Sequence, residues 1–202
     1  MYPTRNQALA LLEWAHERNP GPWLAHSKGV AHAAETIAAA LGLDAQKAYV
    51  CGLLHDVGRY EGVRALHHVL VGYDLLMARG WDEPARICIT HSFPDHELRH
   101  YGGGAFDVTG EELARIAALL DGAEFDDYDR LIQLCDALTW GEDVCLMEKR
   151  LCNVVLRHGT FEGMADKWRC WFAIKAEFEA RIGQSLYSLF PECVRATFDF
   201  PC

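Results

Sequence analysis

The sequence has no apolar run long enough to cross a bilayer. A transmembrane helix needs about 20 consecutive apolar residues, and polar or charged residues interrupt every hydrophobic stretch of this chain before that length is reached. The N-terminal residues 1–6 also lack the positive charges and the following apolar segment of a secretory signal. We therefore expect a cytoplasmic protein with no membrane partner.

Basic residues are few, and they form no stripe along the sequence. The chain has 19 lysines and arginines against 29 acidic residues, which gives a formal net charge of −10. Proteins that bind nucleic-acid polymers hold the phosphates with clustered lysine and arginine, so we expect no nucleic-acid polymer as a partner. An anionic substrate would instead need a strong local positive charge, such as a bound metal.

Closely paired cysteines are also missing. The chain contains 8 cysteines, but none of them shows the CxxC spacing that is typical of zinc sites. Most lie in apolar, helix-like stretches, where a free thiol behaves as a small buried hydrophobic group. Because no secretory signal is visible, we predict reduced thiols and no disulfide framework.

The alternation of apolar and polar residues that marks half-buried strands is absent, and helix signals take its place. Thr4 and Gln7 fit a capping box, and Pro20 must end the helix that they begin. Asp44 and Thr109 are further candidates for helix N-caps. Together with the glycines, these signals predict helices at about 23–41, 45–54, 63–79, 82–90, 110–121, 128–139, 142–158 and 163–182, and a long loop at 92–109. We predict an all-α protein.

A His-Asp doublet ends the apolar run of the third predicted helix, in the stretch GLLHDVGRY at residues 52–60. Both side chains are common metal ligands, and metal sites in helical domains collect ligands from several helices. The remaining candidate ligands each lie on a different predicted element. The six candidates are His26, His55, Asp56, His68, His91 and Asp136. Imidazole suits Fe, Mn, Ni, Co or Zn, and a carboxylate can bridge two cations.

Structural roles are the alternative for these residues. The doublet could simply cap a buried helix end, and His26 could be a core histidine with a satisfied hydrogen bond. Asp136 lies in an otherwise apolar helix, where an unpaired carboxylate is costly to bury, so it needs either a metal or a basic partner. The presence of all six candidates in one chain favours the metal.

Simpler roles are favoured for several other charged residues. Arg150 and Arg157 share one helical face, and a solvated face or an ion pair is favoured there over contact with a phosphate. His96 and His100 lie in the predicted loop, and we expect them to be exposed to solvent. His158 precedes a glycine at a predicted helix end, where the helix dipole favours a cation.

In their order and local context, the six candidates resemble the HD-domain superfamily of metal-dependent phosphohydrolases, which is named for the His-Asp doublet. The segments that carry the resemblance are residues 23–30, 53–59, 68–72, 89–92 and 131–137. The glycine four positions after His68 favours this residue over His67 as the third histidine, although the proline that often follows in the family is missing. Arg59 stands where the family commonly has lysine, and it keeps the positive charge.

The resemblance covers roughly residues 20–140. It implies a helical bundle of the HD type, with a single domain over residues 1–202 and with the helices at about 142–182 packed on the core that carries the motifs.

The resemblance also implies a cofactor and a mechanism. Two divalent ions per chain are expected, the first held by His26, His55, Asp56 and Asp136 and the second by His68 and His91, with Asp56 as the bridge. A metal-bound hydroxide would attack phosphorus while the cations neutralise the developing charge. Asp56 and Arg59 would be the catalytic residues; Arg59 would bind the phosphate, and Lys28 is a weaker candidate for that role. The expected substrate is a small phosphorylated metabolite or a nucleotide.

Two alternative functions stay open at this point. The same superfamily contains di-iron oxygenases with the same order of ligands, and dependence of turnover on dioxygen would identify such an enzyme. The second alternative is a non-catalytic HD module, which would bind a ligand stoichiometrically without turning it over.

Overall fold

The computed structural model describes residues 1–62, 64–101 and 106–193. In these residues the chain forms nine α-helices: α1 (Arg5–Arg18), α2 (Trp23–Leu41), α3 (Ala45–Leu54), α4 (His67–Met77), α5 (Asp82–Thr90), α6 (Gly110–Asp121), α7 (Asp127–Leu138), α8 (Met147–His158) and α9 (Met164–Ile182). Two strands of two residues each, β1 (Thr139–Trp140) and β2 (Asp143–Val144), pair antiparallel. Short 3₁₀ turns occur at Val57–Glu61, Leu98–His100 and Leu186–Leu189. The predicted all-α class is confirmed.

Local capping signals decide where several helices begin. The Thr4 side chain accepts a hydrogen bond from the backbone N–H of Gln7, and the Gln7 side chain accepts one from Thr4, which completes the capping box of α1. Thr109 begins α6 with the same arrangement. The Asp44 carboxylate accepts a hydrogen bond from the backbone N–H of Lys47 and begins α3. These caps agree with the sequence prediction.

The fourth helix begins later than predicted. The sequence suggests a helix over residues 63–79, but α4 starts at His67. Its N-terminus is held by Asp107, whose carboxylate accepts hydrogen bonds from the backbone N–H groups of Ala65, Leu66 and His67 at 2.7, 2.8 and 3.0 Å. Asp107 thus supplies from a distance the acceptor that an N-cap side chain normally supplies. Val63 and the glycines at 102–104, which belong to the predicted helix and the predicted loop, lie outside the described residues.

A small β-hairpin replaces the first turn of the helix that the sequence predicts at residues 142–158. The sequence suggests a helix over residues 142–158, whereas α8 begins at Met147 and follows β1 and β2. Gly141 adopts φ 64° in the turn between the strands, a left-handed conformation that glycine adopts without steric cost. The hairpin lies against α2 at Gly29, where a Cβ would come within 2.8 Å of the Glu142 carbonyl oxygen.

Three buried apolar clusters hold the helices together. The first joins α2, α3 and α7 and extends to α8 and α9, the second joins α1, α2, α3 and α5, and the third joins α4, α5 and α6. Because α3, α5 and α7 end in the same region, the side chains at their C-termini point towards one another. None of the helices in the described residues is both long and apolar enough to span a bilayer.

Candidate metal centre

The six predicted ligands meet in one place because each lies near the end of a helix. His26 lies in the first turn of α2, and His68 lies in the first turn of α4. His55 and His91 are the residues that directly follow α3 and α5. Asp56 follows His55, and Asp136 lies in the last turn of α7.

Asp56 lies at the centre of the group. Its Oδ1 atom is 3.0 Å from Nε2 of His68 and 3.8 Å from Nε2 of His91. Its Oδ2 atom is 3.8 Å from Nε2 of His55. Two ligands that are each about 2.0–2.2 Å from one ion lie about 3–4 Å apart, so these separations suit ligands of a common cation.

Asp136 and His26 complete the group on the side that faces solvent. Their side chains approach to 2.8 Å between Oδ1 and Nε2. Asp136 is half-buried and has an imidazole partner. The sequence had suggested instead that its carboxylate is buried in an apolar helix face. The candidate ligand atoms form three overlapping sets, each within 4.8 Å: His26, His55 and Asp56; His55, His91 and Asp136; and Asp56, His68 and His91.

Backbone carbonyl groups orient three of the imidazole rings. Nδ1 of His55 lies 2.7 Å from the Gly52 carbonyl oxygen, and Nδ1 of His68 lies 2.5 Å from that of Ala65. Nδ1 of His91 lies 3.0 Å from the Cys88 carbonyl oxygen. A carbonyl can only accept, so in each neutral ring Nδ1 carries the proton and Nε2 keeps its lone pair. This is the arrangement in which metal-binding histidines are usually held.

The polar atoms at the centre need a cation. Nε2 of His55, Nε2 of His68 and Oδ1 of Asp56 are buried and have no hydrogen-bond partner. At a separation of 3.0 Å, His68 Nε2 and Asp56 Oδ1 are two acceptors that face each other. Buried polar atoms are nearly always partnered, and leaving one alone is costly. A divalent ion would satisfy all three atoms, so the residues fit the metal that the sequence predicts.

Burial and charge set the protonation states that a metal requires. Burial lowers the pKa of His55 and lowers that of His91 to about 3, which keeps both rings neutral. Burial acts against ionisation of Asp56, but Arg59, His55 and His68 together outweigh it and hold the pKa of this carboxyl well below its usual range. The pKa of Asp136 is also lowered, because its contact with His26 outweighs its burial. At neutral pH His55 and His91 therefore offer lone pairs, and Asp56 and Asp136 offer carboxylates, without prior deprotonation.

Comparison with known proteins agrees with this geometry. The sequence profile of the HD domain family matches residues 23–141, which is more than half of the chain. The chain belongs to the HD domain family. Its members are mostly metal-dependent hydrolases, and the region that matches contains all six candidate ligands.

Curated relatives of the HD domain include two ribonucleases Y. The chain is 32% identical over 117 residues to ribonuclease Y of Mycoplasma capricolum subsp. capricolum, which covers 54% of this chain and 21% of that protein. It is 33% identical over 123 residues to ribonuclease Y of Thermus thermophilus, which covers 57% of this chain and 20% of that protein. The chain thus spans about a fifth of the length of these relatives. No solved structure matches it.

The two predicted phosphate-binding residues occupy different places in this HD domain. Arg59 lines the cavity above the ligands, and its Nε donates to Oδ2 of Asp56 at 2.6 Å. Lys28 is exposed and is not among the described residues that line the cavity. It follows His26 by two positions on α2, which rotates it by about 200° around the helix axis. The structure therefore gives Lys28 no part in this cavity wall, and its role in substrate binding stays a prediction.

The cavity above the HD ligands is larger than the metal group alone requires. Its volume is about 720 Å³, and Asp56, His91 and Asp136 form part of its wall. The opposite wall comes from α8 and α9, with Arg150, Arg157, His158, Lys167, Trp168 and Trp171 among its residues. The sequence favoured a solvated face or an ion pair for the two arginines and gave no sign of Lys167, since the resemblance ended near residue 140 and no motif marked these helices.

The predicted loop also contributes buried residues. His100 was expected to be exposed, but it is 5% exposed, and its Nδ1 lies 2.7 Å from Oδ2 of Asp95. Tyr101 lines the cavity, and its hydroxyl donates to the Ala65 carbonyl oxygen at 2.6 Å. The described part of this loop therefore contributes to the cavity wall.

Because buried histidines of the centre are neutral, we expect the metal-free protein to lose stability at acidic pH. His91 has a folded pKa of about 3 against an ordinary value of 6.5, so between these values the unfolded chain binds a proton that the folded chain does not. The free energy of unfolding of chelated protein should therefore fall as pH decreases from about 6.5, by about 1.4 kcal/mol per pH unit for this group. Urea unfolding of chelated protein at a series of pH values measures the slope.

A variant tests the origin of that acid sensitivity. In His91→Gln the titrating ring is absent, so the dependence of stability on pH should be shallower than in the wild type. The interpretation fails if chelated wild-type protein is equally stable throughout the range from neutral pH to about pH 5.

Proposed function

We propose that this protein is a metal-dependent phosphohydrolase that acts on a small phosphorylated metabolite or a nucleotide. The observation that carries the proposal is the set of buried, unpartnered atoms around Asp56, which lies beneath a cavity whose wall includes Arg59. Lone pairs that face one another require cations, and a cationic side chain beside them suits a phosphoryl group. Membership of the HD domain family supports the same class of reaction.

Each ligand has a defined part in this proposal. His26, His55, Asp56 and Asp136 would hold one divalent ion, and His68 and His91 would hold a second, with Asp56 available to both. Ligands of these types admit Fe, Mn, Ni, Co or Zn. The ions, when bound, activate water as the nucleophile and neutralise charge on the phosphoryl oxygens. The carbonyl groups that fix the rings of His55, His68 and His91 keep their Nε2 atoms free to bind a cation.

Arg59 connects the metal ligands with the substrate. Its Nε hydrogen bond fixes Oδ2 of Asp56, and its Nη1 donates to the Arg64 carbonyl oxygen at 3.2 Å. Nη2 remains for a phosphoryl oxygen in the cavity. The sequence suggested that Arg59 contacts phosphate and not the metals, whereas the structure adds a direct contact with Asp56. We propose that Arg59 orients the shared ligand and binds the phosphate.

The size and charge of the protein favour a small substrate. A cavity of about 720 Å³ is within the range of sites for small molecules. The net charge of −10 opposes the long-range attraction of a polyanion. The curated relatives are named ribonucleases, so RNA is the alternative substrate that an activity assay has to include.

Phosphate release by the purified full chain tests the function. The protein is reconstituted with each candidate metal and assayed against nucleoside monophosphates, sugar phosphates and short RNA oligonucleotides, with and without dioxygen. We expect oxygen-independent release of phosphate from a small substrate. Turnover that requires dioxygen would identify an oxygenase, cleavage of RNA alone would replace the small substrate, and ligand binding without turnover under any metal would identify a binding module.

Substitution of Arg59 by alanine is expected to affect both metal binding and catalysis. Loss of the group that orients Asp56 should weaken metal binding about 10–100-fold, as is typical for partners of metal ligands. Loss of a charged hydrogen bond to substrate, worth about 1.5–3 kcal/mol, should lower kcat/KM by roughly tenfold to several hundredfold in metal-saturated enzyme. Metal titrations and steady-state kinetics measure the two effects separately.

Arg79→Ala is a suitable control for that substitution, because Arg79 is exposed and contacts the Leu75 carbonyl oxygen and the Trp14 ring, neither of which belongs to the metal group. Kinetics and metal affinity of Arg59→Ala that match those of Arg79→Ala would contradict both roles of Arg59.

A further inference from the structure

Lys167 is a buried cation without an anionic partner. It lies on α9, is 4% exposed and lines the cavity opposite the metal ligands. Its Nζ donates to the His100 carbonyl oxygen at 3.1 Å, and no carboxylate of the described residues forms an ion pair with it. Burial lowers its pKa to about 8. A buried ammonium group is normally paired, whereas the Asp95 and Asp136 carboxylates act on this one only over a distance and do not offset its burial, so an anionic ligand would complete its surroundings.

Aromatic rings surround the same ammonium group. The rings of Trp171, Phe161 and Phe93 lie 5.0, 5.8 and 6.0 Å from Nζ of Lys167. These contacts stabilise a cation but accept no strong hydrogen bond. The indole Nε1 of Trp171 is itself buried without a partner. This part of the cavity therefore offers hydrogen-bond donors that lack acceptors.

The adjacent helix α8 adds two more donors of the same kind. Arg150 lines the cavity; its Nε donates to the Thr139 carbonyl oxygen at 2.9 Å, and its Nη1 is buried without a partner. Arg157 lies two helical turns further along and also lines the cavity. Burial and the positive charge of Arg150 lower the pKa of Arg157. No carboxylate of the described residues pairs with either arginine. Unpaired cations beside each other are unexpected in a protein with a net charge of −10.

We propose that Arg150, Arg157 and Lys167 form a second anion-binding subsite, and that the substrate carries a second anionic group, a phosphate or a carboxylate, in addition to the phosphoryl group at the metals. This inference rests on the proposed function for the place of the first group. The second group supplies an acceptor to the unpartnered Arg150 Nη1 and Trp171 Nε1 and negative charge to the three cations. Because α8 and α9 follow the residues 23–141 that match the family, the subsite is a specificity determinant of this chain.

Phosphonates test the subsite without turnover, because their carbon–phosphorus bond is not a phosphate ester. The probes are alkylphosphonates, phosphonocarboxylates and alkylene diphosphonates with spacers of increasing length. Their affinities for the metal-loaded full chain are measured by calorimetry. We expect a probe with two anionic groups to bind about tenfold or more tightly than the alkylphosphonate of the same length. Preference for the diphosphonate identifies a second phosphate, and preference for the phosphonocarboxylate identifies a carboxylate.

Substitutions locate the effect on the α8–α9 wall. Lys167→Met and Arg157→Gln should each reduce the preference for two anionic groups about tenfold while affinity for the alkylphosphonate stays the same. Arg157 is exposed, so its substitution is tolerated by the fold. Lys149→Met and Arg169→Gln are matched controls from the exposed faces of the same helices, and they should keep the preference.

The same measurements separate this inference from the proposed function. Equal binding of probes with one and two anionic groups to the wild type overturns the subsite, and so does a preference that survives both Lys167→Met and Arg157→Gln. If the preference is present and depends on these residues but no phosphate ester is hydrolysed, the subsite stands and the proposed function fails.

Discussion

Substitution of Asp56 by asparagine is expected to abolish phosphate release and to disturb both metal positions. Among the described residues, Asp56 is the one whose carboxylate lies within 3.8 Å of Nε2 of all three of His55, His68 and His91. An amide offers one neutral oxygen in place of two charged ones, so it cannot bridge two cations. We expect metal affinity to fall by more than about a hundredfold, beyond the loss that is typical for residues that only orient ligands.

Metal analysis and thermal melting together separate loss of ligand from loss of fold. In metal-free Asp56→Asn, the amide N–H can donate to Nε2 of His68, which lacks a partner in the wild type. The metal-free variant should therefore melt at a temperature similar to that of chelated wild type. Added metal should raise the melting temperature of the wild type and leave that of the variant unchanged, because an ion stabilises the folded state only when it binds to it.

Asp74→Asn is the matched control, because Asp74 is an exposed aspartate that pairs with Arg115 away from the metal group. It should keep metal content and activity. Full metal content in Asp56→Asn would remove the central role of Asp56, and a collapse of its metal-free fold would instead assign this residue a structural role.

Substitution of Gly58 by alanine is expected to have the largest effect on stability. Gly58 lies in the 3₁₀ turn that follows the His-Asp doublet, and this turn packs directly on the backbone of α4. A Cβ at this position would come within 2.0 Å of the His68 carbonyl oxygen and 2.5 Å of the Gly72 amide nitrogen. Neither atom belongs to a flexible side chain, so the turn and α4 must move apart.

The displacement should affect both folding and metal binding. Overpacking of this severity costs about 3 kcal/mol or more, which corresponds to a decrease in melting temperature of about 6–12 °C for a protein of this size. Because His68 lies on the displaced helix, the ion that it holds should be lost first. Calorimetric melting and metal analysis of the purified variant measure the two losses.

Gly110→Ala serves as the control for Gly58→Ala. Gly110 is the first residue of α6, and a Cβ there has no heavy atom within 4 Å. It should melt at or slightly above the wild-type temperature, because alanine favours the helix more than glycine does. A Gly58→Ala protein that melts like the wild type would show that the turn and α4 are not held in close contact.

The chemistry of the candidate centre could be predicted from the sequence because it depends on residue type and order. His55 and Asp56 stand together in the sequence, and His26, His68 and Asp136 each occur in a short segment similar to that of the HD family. The helix starts at Thr4, Asp44 and Thr109 could be predicted equally well. In each case the capping side chain accepts a hydrogen bond from a backbone N–H only three residues further along the chain. The sequence therefore determined the family, the fold class and the candidate ligands.

Features that join distant segments were not predictable from local patterns. Asp107 caps α4 from about 40 positions away, so the start of that helix depends on a loop whose path the sequence does not reveal. Lys28 shares α2 with His26 but points elsewhere, and His100 is buried although it lies in a polar loop. Each outcome depends on which face of a segment meets the rest of the chain.

The tertiary structure alone decided what lies opposite the metal ligands. Arg150, Arg157 and Lys167 lie on helices that carry no recognisable motif, and only the packing of α8 and α9 around the cavity brings them to its wall. The physical reason is that ligand chemistry is a property of individual side chains, whereas a binding wall depends on how separate helices are placed. The sequence thus determined the metal-binding group, and the fold decided which charges a substrate meets.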